Sequence, residues 1–428
     1  MNKIFIQIAS YRDPQLIPTI KDCIANAAEP NNLIFGICRQ FHPDDGFDSL
    51  DEFKDDKRFR VVDVPWNKAE GVCWARNAVQ QLYQGETYTL QLDSHHRFAK
   101  DWDTTLINML TQLQKKGHAK PLLTTYASSF DPDNDPAART KPPWKMDFDR
   151  FIPEGAVFFL PSAIDNWREL TEPIPARFYS AHFAFSIGQF AVEVQHDPEY
   201  YFHGEEISIA VRAYTHGYDL FHPHKTVVWH EYTRKNRAKH WDDHSPHKHK
   251  QIEKPWHLRN KECHERNRKL FEMDGLIKDI DFGKYDFGTA RSVSDYEKYA
   301  GISFKMRAAQ EHTIKNKLAP CPVPDTEEEW VAGFARKMVV PVNVSLTEIE
   351  HGDDVKFWFF GIHDKDGKEI YRKDRGKNQI KKFVDNGRVF FRENIVTTQA
   401  PKTYMIWPML EEGWGKQIVK PVPGFESF

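Results

Sequence analysis

The run Thr87-Tyr88-Thr89-Leu90-Gln91-Leu92 leads directly into Asp93-Ser94-His95-His96. An apolar, β-branched and aromatic run of this kind predicts a buried strand. An open α/β sheet binds its ligands just beyond the carboxyl ends of such strands. Asp93 and His95 at that place can reach one divalent cation. Alone, the tripeptide reads more readily as a strand that ends in a polar turn. The rest of the chain reverses that balance.

Three further stretches stand in order around it. Ser10-Tyr11-Arg12-Asp13 closes the first strand, where a doubly wound sheet holds a nucleotide base and ribose. Ala75-Arg76-Asn77 lies on a helix that begins at Gly71, just before the Asp93 strand. Gly204-Glu205-Glu206 opens another helix, and His230 ends a later strand. Each has a simpler reading. Arg76 can be a structural partner of a carboxylate, Glu205 and Glu206 the acidic first turn that a helix dipole favours, and His230 a satisfied core histidine. Their joint occurrence in this order argues for a site.

The elements that must position these residues alternate between strand and helix. Strands are predicted over 4–9, 33–38 and 59–64. A helix follows Asp13-Pro14, with Leu16, Ile17, Ile20, Cys23 and Ile24 on one face, and a second runs over 71–83. This alternation predicts an α/β fold, a mostly parallel sheet with helices on both faces. Residues 122–126 form a further strand, 130–143 a Pro- and Asp-rich loop, 181–187 an apolar run, and 226–229 the strand that ends at His230. A polar tract over 234–269 carries His240, His244, His247, His249, His257 and His264 among many Lys and Arg. It reads as a solvated helix and loop, as a mobile flap whose cations fold over a diphosphate, or as a second metal site. Pro320, Pro322 and Pro324 mark a linker, and after it the pattern turns to alternating strands. The expected domains are 1–310, a linker over 311–326, and a small β-sandwich-like domain over 327–428. The last is expected to brace or assemble the enzyme, through homo-oligomers, or to recognise an acceptor.

Composition narrows the class. A formal net charge of -3 does not favour a nucleic-acid partner. No apolar run approaches the ~20 residues of a membrane span, and the N-terminal run reads as a strand rather than a signal peptide. Five scattered cysteines without a CxxC pattern suggest reduced thiols in the cytoplasm.

The order of the motifs resembles the GT-A nucleotide-sugar transferases, whose fold is Rossmann-like. Asp93-Ser94-His95, Gly204-Glu205-Glu206 and His230 match in turn the metal motif, the Gly-Gly-Glu-Asn-like segment and the later histidine ligand of the polypeptide N-acetylgalactosaminyltransferases. Ala181 to Ile187 is similar to their Ala-Gly-Gly-x-Phe-Ser-Ile segment, with His182-Phe183 in place of Gly-Gly and Glu206 in place of Asn. A closer resemblance is to the hydroxyproline polypeptide N-acetylglucosaminyltransferases, glycosyltransferase family 60. Ile4 to Pro14 looks like their opening signature, and Phe287-Gly288-Thr289-Ala290-Arg291-Ser292 with Asp295-Tyr296 like their closing segment. The resemblance covers about residues 1 to 305. It implies UDP-GlcNAc as the donor, Mn²⁺ or another divalent cation, retention at the anomeric carbon, and a protein or glycan hydroxyl as acceptor.

The residues themselves argue for a metal-assisted departure of a diphosphate. Asp93, His95 and His230 are the expected ligands, and their mixed oxygen and imidazole donors suit Mn²⁺ better than Mg²⁺. Ser10, Tyr11, Arg12, Asp13, Arg76 and Asn77 are expected around the nucleoside. Glu205 and Glu206, with Asp93, are the expected catalytic carboxylates, the glutamates on sugar hydroxyls or near the acceptor. Three other readings stay open: a carbohydrate-binding protein without turnover, the same transfer onto nucleic acid or another modified acceptor, and a zinc protein built on the His-rich tract. That tract lacks HExxH or finger spacing.

Overall fold

The computed structural model describes residues 2–235, 237–247, 252–385 and 387–423. His249 of the polar tract therefore lies outside the described residues. The chain divides into two compact units. The first comprises Met1–Phe148, Glu154–Gly301 and Asn316–Pro322, and the second Asp149–Pro153, Ile302–Lys315 and Val323–Phe428.

In chain order to residue 270 the elements are β1 (Ile4–Tyr11), α1 (Leu16–Asn26), β2 (Leu33–Phe41), β3 (Phe59–Pro65), α2 (Val72–Gln80), β4 (Tyr88–Asp93), β5 (His96–Phe98) and α3 (Trp102–Lys115). There follow β6 (Pro121–Thr124), β7 (Ser128–Ser129), β8 (Trp144–Phe151), β9 (Val157–Ala163), β10 (Ile174–Pro175), β11 (Phe183–Ile187) and α4 (Phe190–Glu193). Last come α5 (Glu205–Thr215), β12 (Asp219–His222), β13 (Val228–His230), α6 (His240–Asp243) and α7 (Trp256–Leu270).

An eight-stranded sheet of order β10-β12-β6-β11-β4-β1-β2-β3 forms the centre of the first unit. β1 pairs in parallel with β2 and β4, β2 with β3, and β6 with β12. β11 enters antiparallel between β4 and β6. Side chains alternate across this sheet. Ile4, Ile6 and Ile8 of β1 join a core with Leu16 and Ile20 of α1 and Trp102 and Leu106 of α3. Phe5 points to the other face, where it meets Ala75 and Val79 of α2. Burial on both faces is why these strands read as continuous apolar runs. Truncating one such side chain, as in Phe5→Ala, costs on the order of 3–5 kcal/mol.

The sheet carries the polar turn after β4. The Thr19 hydroxyl of α1 donates to Ser94 O at 2.9 Å and accepts from His96 N at 2.9 Å, which holds the 93–96 turn against the helix. A small second sheet, β5-β13-β7, lies beside it. Its register sets His230 opposite His96, and Glu231 N donates to His95 O at 3.1 Å.

The second unit is a β-sandwich. Phe334–Ser345 pairs antiparallel with Arg388–Thr397, and Val355–His363 with Thr403–Leu410. Alternate residues of both sheets, among them Val340, Val342, Trp358, Phe360, Phe391 and Ile406, share one core. Ile302–Ser303 and Ala308–Gln310 extend the first of these sheets, so the second unit starts ahead of residue 310. All five cysteines are buried. Among the described residues no helix is long and apolar enough to cross a membrane.

Candidate active site

Asp93, His95 and His230 come together at the carboxyl end of β4, with one ligand atom from each within 4.8 Å of the others. Among the described residues no other group of three acids, histidines or cysteines does so. Asp93 Oδ2 lies 3.6 Å from His95 Nε2 and 3.5 Å from His230 Nε2. Both nitrogens are buried and make no hydrogen bond. Two sealed imidazole nitrogens facing one carboxylate oxygen fit the donor set of a divalent transition metal. Burial pushes the Asp93 carboxyl up, but Arg76, His230 and His95 outweigh it and hold the group well below the usual carboxylate range. Burial, then the neighbouring His182, hold His230 well below the ordinary imidazole range, so its ring is neutral.

Asp13 sits beneath this cluster. It is 2% exposed. Its Oδ2 accepts from His95 Nδ1 at 2.7 Å, from Ser94 Oγ at 2.7 Å and from Arg237 Nη1 at 2.8 Å, and its Oδ1 accepts from Gln15 N at 2.8 Å. Burial opposes ionisation, yet His95, Arg237 and Ser94 bring the carboxyl down to about 2. With Nδ1 of His95 committed to Asp13, Nε2 is the ring atom left to face a cation.

Two helices supply the charges on the other side, and each starts at a glycine. Gly71 caps α2 at φ +125°, where a Cβ would stand 2.8 Å from the Tyr201 ring. Gly204 caps α5 at φ +95°, where a Cβ would crowd Asn267 at 3.0 Å. Only glycine takes both backbones without strain. Arg76 of α2 donates to Asp93 Oδ1 at 2.6 Å and to both oxygens of Glu205 at 2.7 and 2.9 Å. His196 Nδ1 meets the same Glu205 at 2.5 Å. Burial resists the Glu205 charge, but Arg76 and His196 lower its carboxyl to about 2.

Glu206 is its opposite. It accepts from the Tyr126 hydroxyl at 2.7 Å and from Ala181 N at 3.0 Å. Burial dominates there, and the carboxyl rises to about 7.

Two cavities meet at this cluster. One of about 140 Å³ is lined by Tyr11, Asp13, Tyr201, Arg237 and His240 among others. The other, of about 300 Å³, is walled by Tyr126, Phe158, Phe159, His182, Glu206 and Tyr232. Arg76, Asp93, Phe202 and Arg234 line both. Asp93 thus stands at the junction of the two spaces.

The residues expected from the sequence separate into groups. Asp93, His95 and His230 converge, and Tyr11, Asp13, Arg76, Glu205 and Glu206 line one cavity or both. Ser10, Arg12 and Asn77 line neither. Ser10 is buried in the sheet. Arg12 pairs with Asp45 at 2.6 Å and Asp243 at 2.8 Å, and Asn77 donates to His196 O at 2.7 Å. Tyr11 also donates to Asp243, at 3.0 Å.

Sequence reasoning missed the Glu205 partner His196 and the cavity residues Tyr126 and His182 as individuals. Nothing local marks His196 or Tyr126, and His182 stood out only as a departure from the resemblance. Arg234 and Arg237 were legible only as part of the basic tract. Both line the smaller cavity, and Arg237 Nη2 pairs with Glu231 at 2.9 Å.

The chain matches the family described as Glycosyltransferase (GlcNAc) over residues 3–57 and 47–306, and it belongs to that family. No curated protein matches it. Among solved structures, GalNAc-T7 with UDP, GalNAc and Mn2+ is similar at 14% identity and a TM-score of 0.45, over 63% of this chain and 49% of that one. S. aureus TarS 1-349 in complex with UDP-GlcNAc is similar at 10% identity and a TM-score of 0.35, over 56% of this chain and 60% of that one. S. aureus TarS itself is similar at 10% identity and a TM-score of 0.37, over 98% of this chain and 77% of that one. The chain thus spans about half the length of the GalNAc-T7 chain.

Proposed function

We propose that this chain transfers GlcNAc from UDP-GlcNAc to a hydroxyl of a protein or glycan acceptor, with retention at the anomeric carbon and with Mn²⁺ or another divalent cation held by Asp93, His95 and His230. The observation that carries the reading is the convergence of those three side chains where two cavities meet. A cation bound there supplies the positive charge that a departing diphosphate requires.

The chain's own residues do the rest. Asp13 fixes the His95 ring, and Arg76 holds Asp93 in place while Glu205 and His196 hold Arg76. The smaller cavity takes the nucleoside diphosphate beside Tyr11, Arg234 and Arg237, and the larger takes the hexosyl ring and the approaching acceptor. In the transfer, the bond from C1 to the β-phosphate oxygen breaks and a bond from the acceptor oxygen to C1 forms on the same face. The acceptor's proton passes to the leaving phosphate. The commitment of Glu205 to Arg76 and His196 supports this same-face course, because it leaves that carboxylate unavailable as a covalent nucleophile.

The finer assignment, to the hydroxyproline polypeptide N-acetylglucosaminyltransferases, rests on the opening and closing segments. Five scattered, buried cysteines without a CxxC pattern support a reducing, cytoplasmic setting. The test is release of UDP from a set of UDP-sugars with Mn²⁺. Slow donor hydrolysis is expected without acceptor and is lost in Asp93→Ala. No release from any UDP-sugar, with or without candidate acceptors, overturns the proposal.

A further inference from the structure

His182 lies in the wall of the larger cavity, as do Tyr126 and His230. Its ring stacks on His230 with centroids 4.3 Å apart and on Tyr126 at 5.1 Å, so two rings hold its plane. Its Nε2 accepts the backbone N–H of Ala127 at 3.0 Å. The Tyr232 hydroxyl, 3.4 Å from the same nitrogen, spends its own proton on Ala127 O at 2.6 Å. A ring nitrogen that accepts an amide proton carries none of its own, so the proton of the neutral ring sits on Nδ1. Nδ1 makes no hydrogen bond among the described residues, although His182 borders open space.

We propose that His182 reads the donor sugar: its Nδ1–H donates to an oxygen of the hexosyl ring or of that ring's substituent. The proposal rests on the transferase reading above. The chemistry of the wall agrees with it. Phe158, Phe159 and Phe202 offer apolar faces, the Glu206 carboxyl offers an acceptor held by Tyr126 and Ala181, and His182 adds a directed neutral donor. An uncharged, polyhydroxylated ring satisfies all three. The contact of His182 with His230 sets this donor next to the point where the diphosphate departs. His182 is absent from the residues lining the smaller cavity, so it is a sugar-selecting residue and not a nucleotide-binding one.

The test is calorimetric binding of UDP and of UDP-GlcNAc, each with Mn²⁺, to the full chain and to His182→Phe and His182→Gln. Phenylalanine keeps the stacking and removes the N–H. Glutamine keeps an acceptor for Ala127 N and a donor. The expected result is a loss of about 5- to 10-fold in UDP-GlcNAc affinity for the Phe variant, the size of one neutral hydrogen bond. UDP affinity stays unchanged, and the Gln variant regains most of the loss. Equal losses for UDP and UDP-GlcNAc, or none for either, overturn the role of His182 while leaving the transferase reading intact. If the Phe variant does not fold, His182→Leu takes its place under the same criteria: a loss confined to UDP-GlcNAc supports the assignment, and equal losses or none overturn it. A wild-type chain that binds neither ligand overturns both readings.

Discussion

Asp13 Oδ2 lies 2.7 Å from His95 Nδ1, and this contact decides which nitrogen of His95 faces Asp93. The two residues are far apart in sequence and are joined because β1 and β4 are parallel neighbours, with Ala9 opposite Asp93. Asp13 thus reaches the cluster through the His95 ring.

Removal of that support should weaken the cation site. Asp13→Ala frees the His95 ring to rotate and to change tautomer, and outer partners of this kind are worth about 10–100-fold in metal affinity. Titration of Mn²⁺ by electron paramagnetic resonance is expected to show a loss in that range in a variant that still melts cooperatively. An unchanged Mn²⁺ affinity would show that Asp13 does not orient the ring.

The Arg76 guanidinium serves two carboxylates at once, Asp93 and Glu205, and is itself 4% exposed. Arg76→Ala leaves both acids without their cation, and a buried pair broken from one side costs on the order of 3–5 kcal/mol. Denaturant unfolding is expected to show a loss of that size. Arg76→Ala combined with Glu205→Gln should recover part of it, because one of the stranded charges is then gone. Purely additive losses would contradict the shared network.

Glu206 gives a signed pH dependence. Its carboxyl is raised from 4.5 to about 7, first by burial. The folded state then binds the proton more tightly than the unfolded chain does, so the Glu206 contribution to stability falls as pH rises from about 4.5 to about 7 and is flat on either side. The full difference is on the order of 3 kcal/mol. Urea unfolding of the wild type minus that of Glu206→Gln, measured from pH 4.5 to 8, is expected to decline across that window. A difference that rises with pH would contradict a buried, poorly solvated carboxyl.

Much of this was legible in the chain. The parallel strands are buried on both faces and so appear as unbroken apolar runs, which is why β1, β2 and β4 could be placed within a few residues. The Asp93–His95–His230 cluster was legible because strand ends are where an α/β sheet gathers its ligands. Partner choice was not. Arg12 pairs with Asp45 and with Asp243, the latter more than two hundred residues away, and no spacing rule encodes those partners. Glu205 and Glu206 show the same limit. Adjacent on a helix, they point about 100° apart. One meets Arg76 and His196, and the other meets Tyr126 and Ala181, so two like residues end with carboxyls near 2 and near 7. The β11 strand entered antiparallel, a reversal that its apolar run does not reveal.

The most direct test of the account is a crystal structure with Mn²⁺ and UDP, read by anomalous scattering at the manganese edge. The account predicts one strong peak bound by Asp93 Oδ2, His95 Nε2 and His230 Nε2, with the UDP diphosphate as its remaining ligand. A manganese peak elsewhere, or a UDP diphosphate lying away from these three side chains, would contradict it.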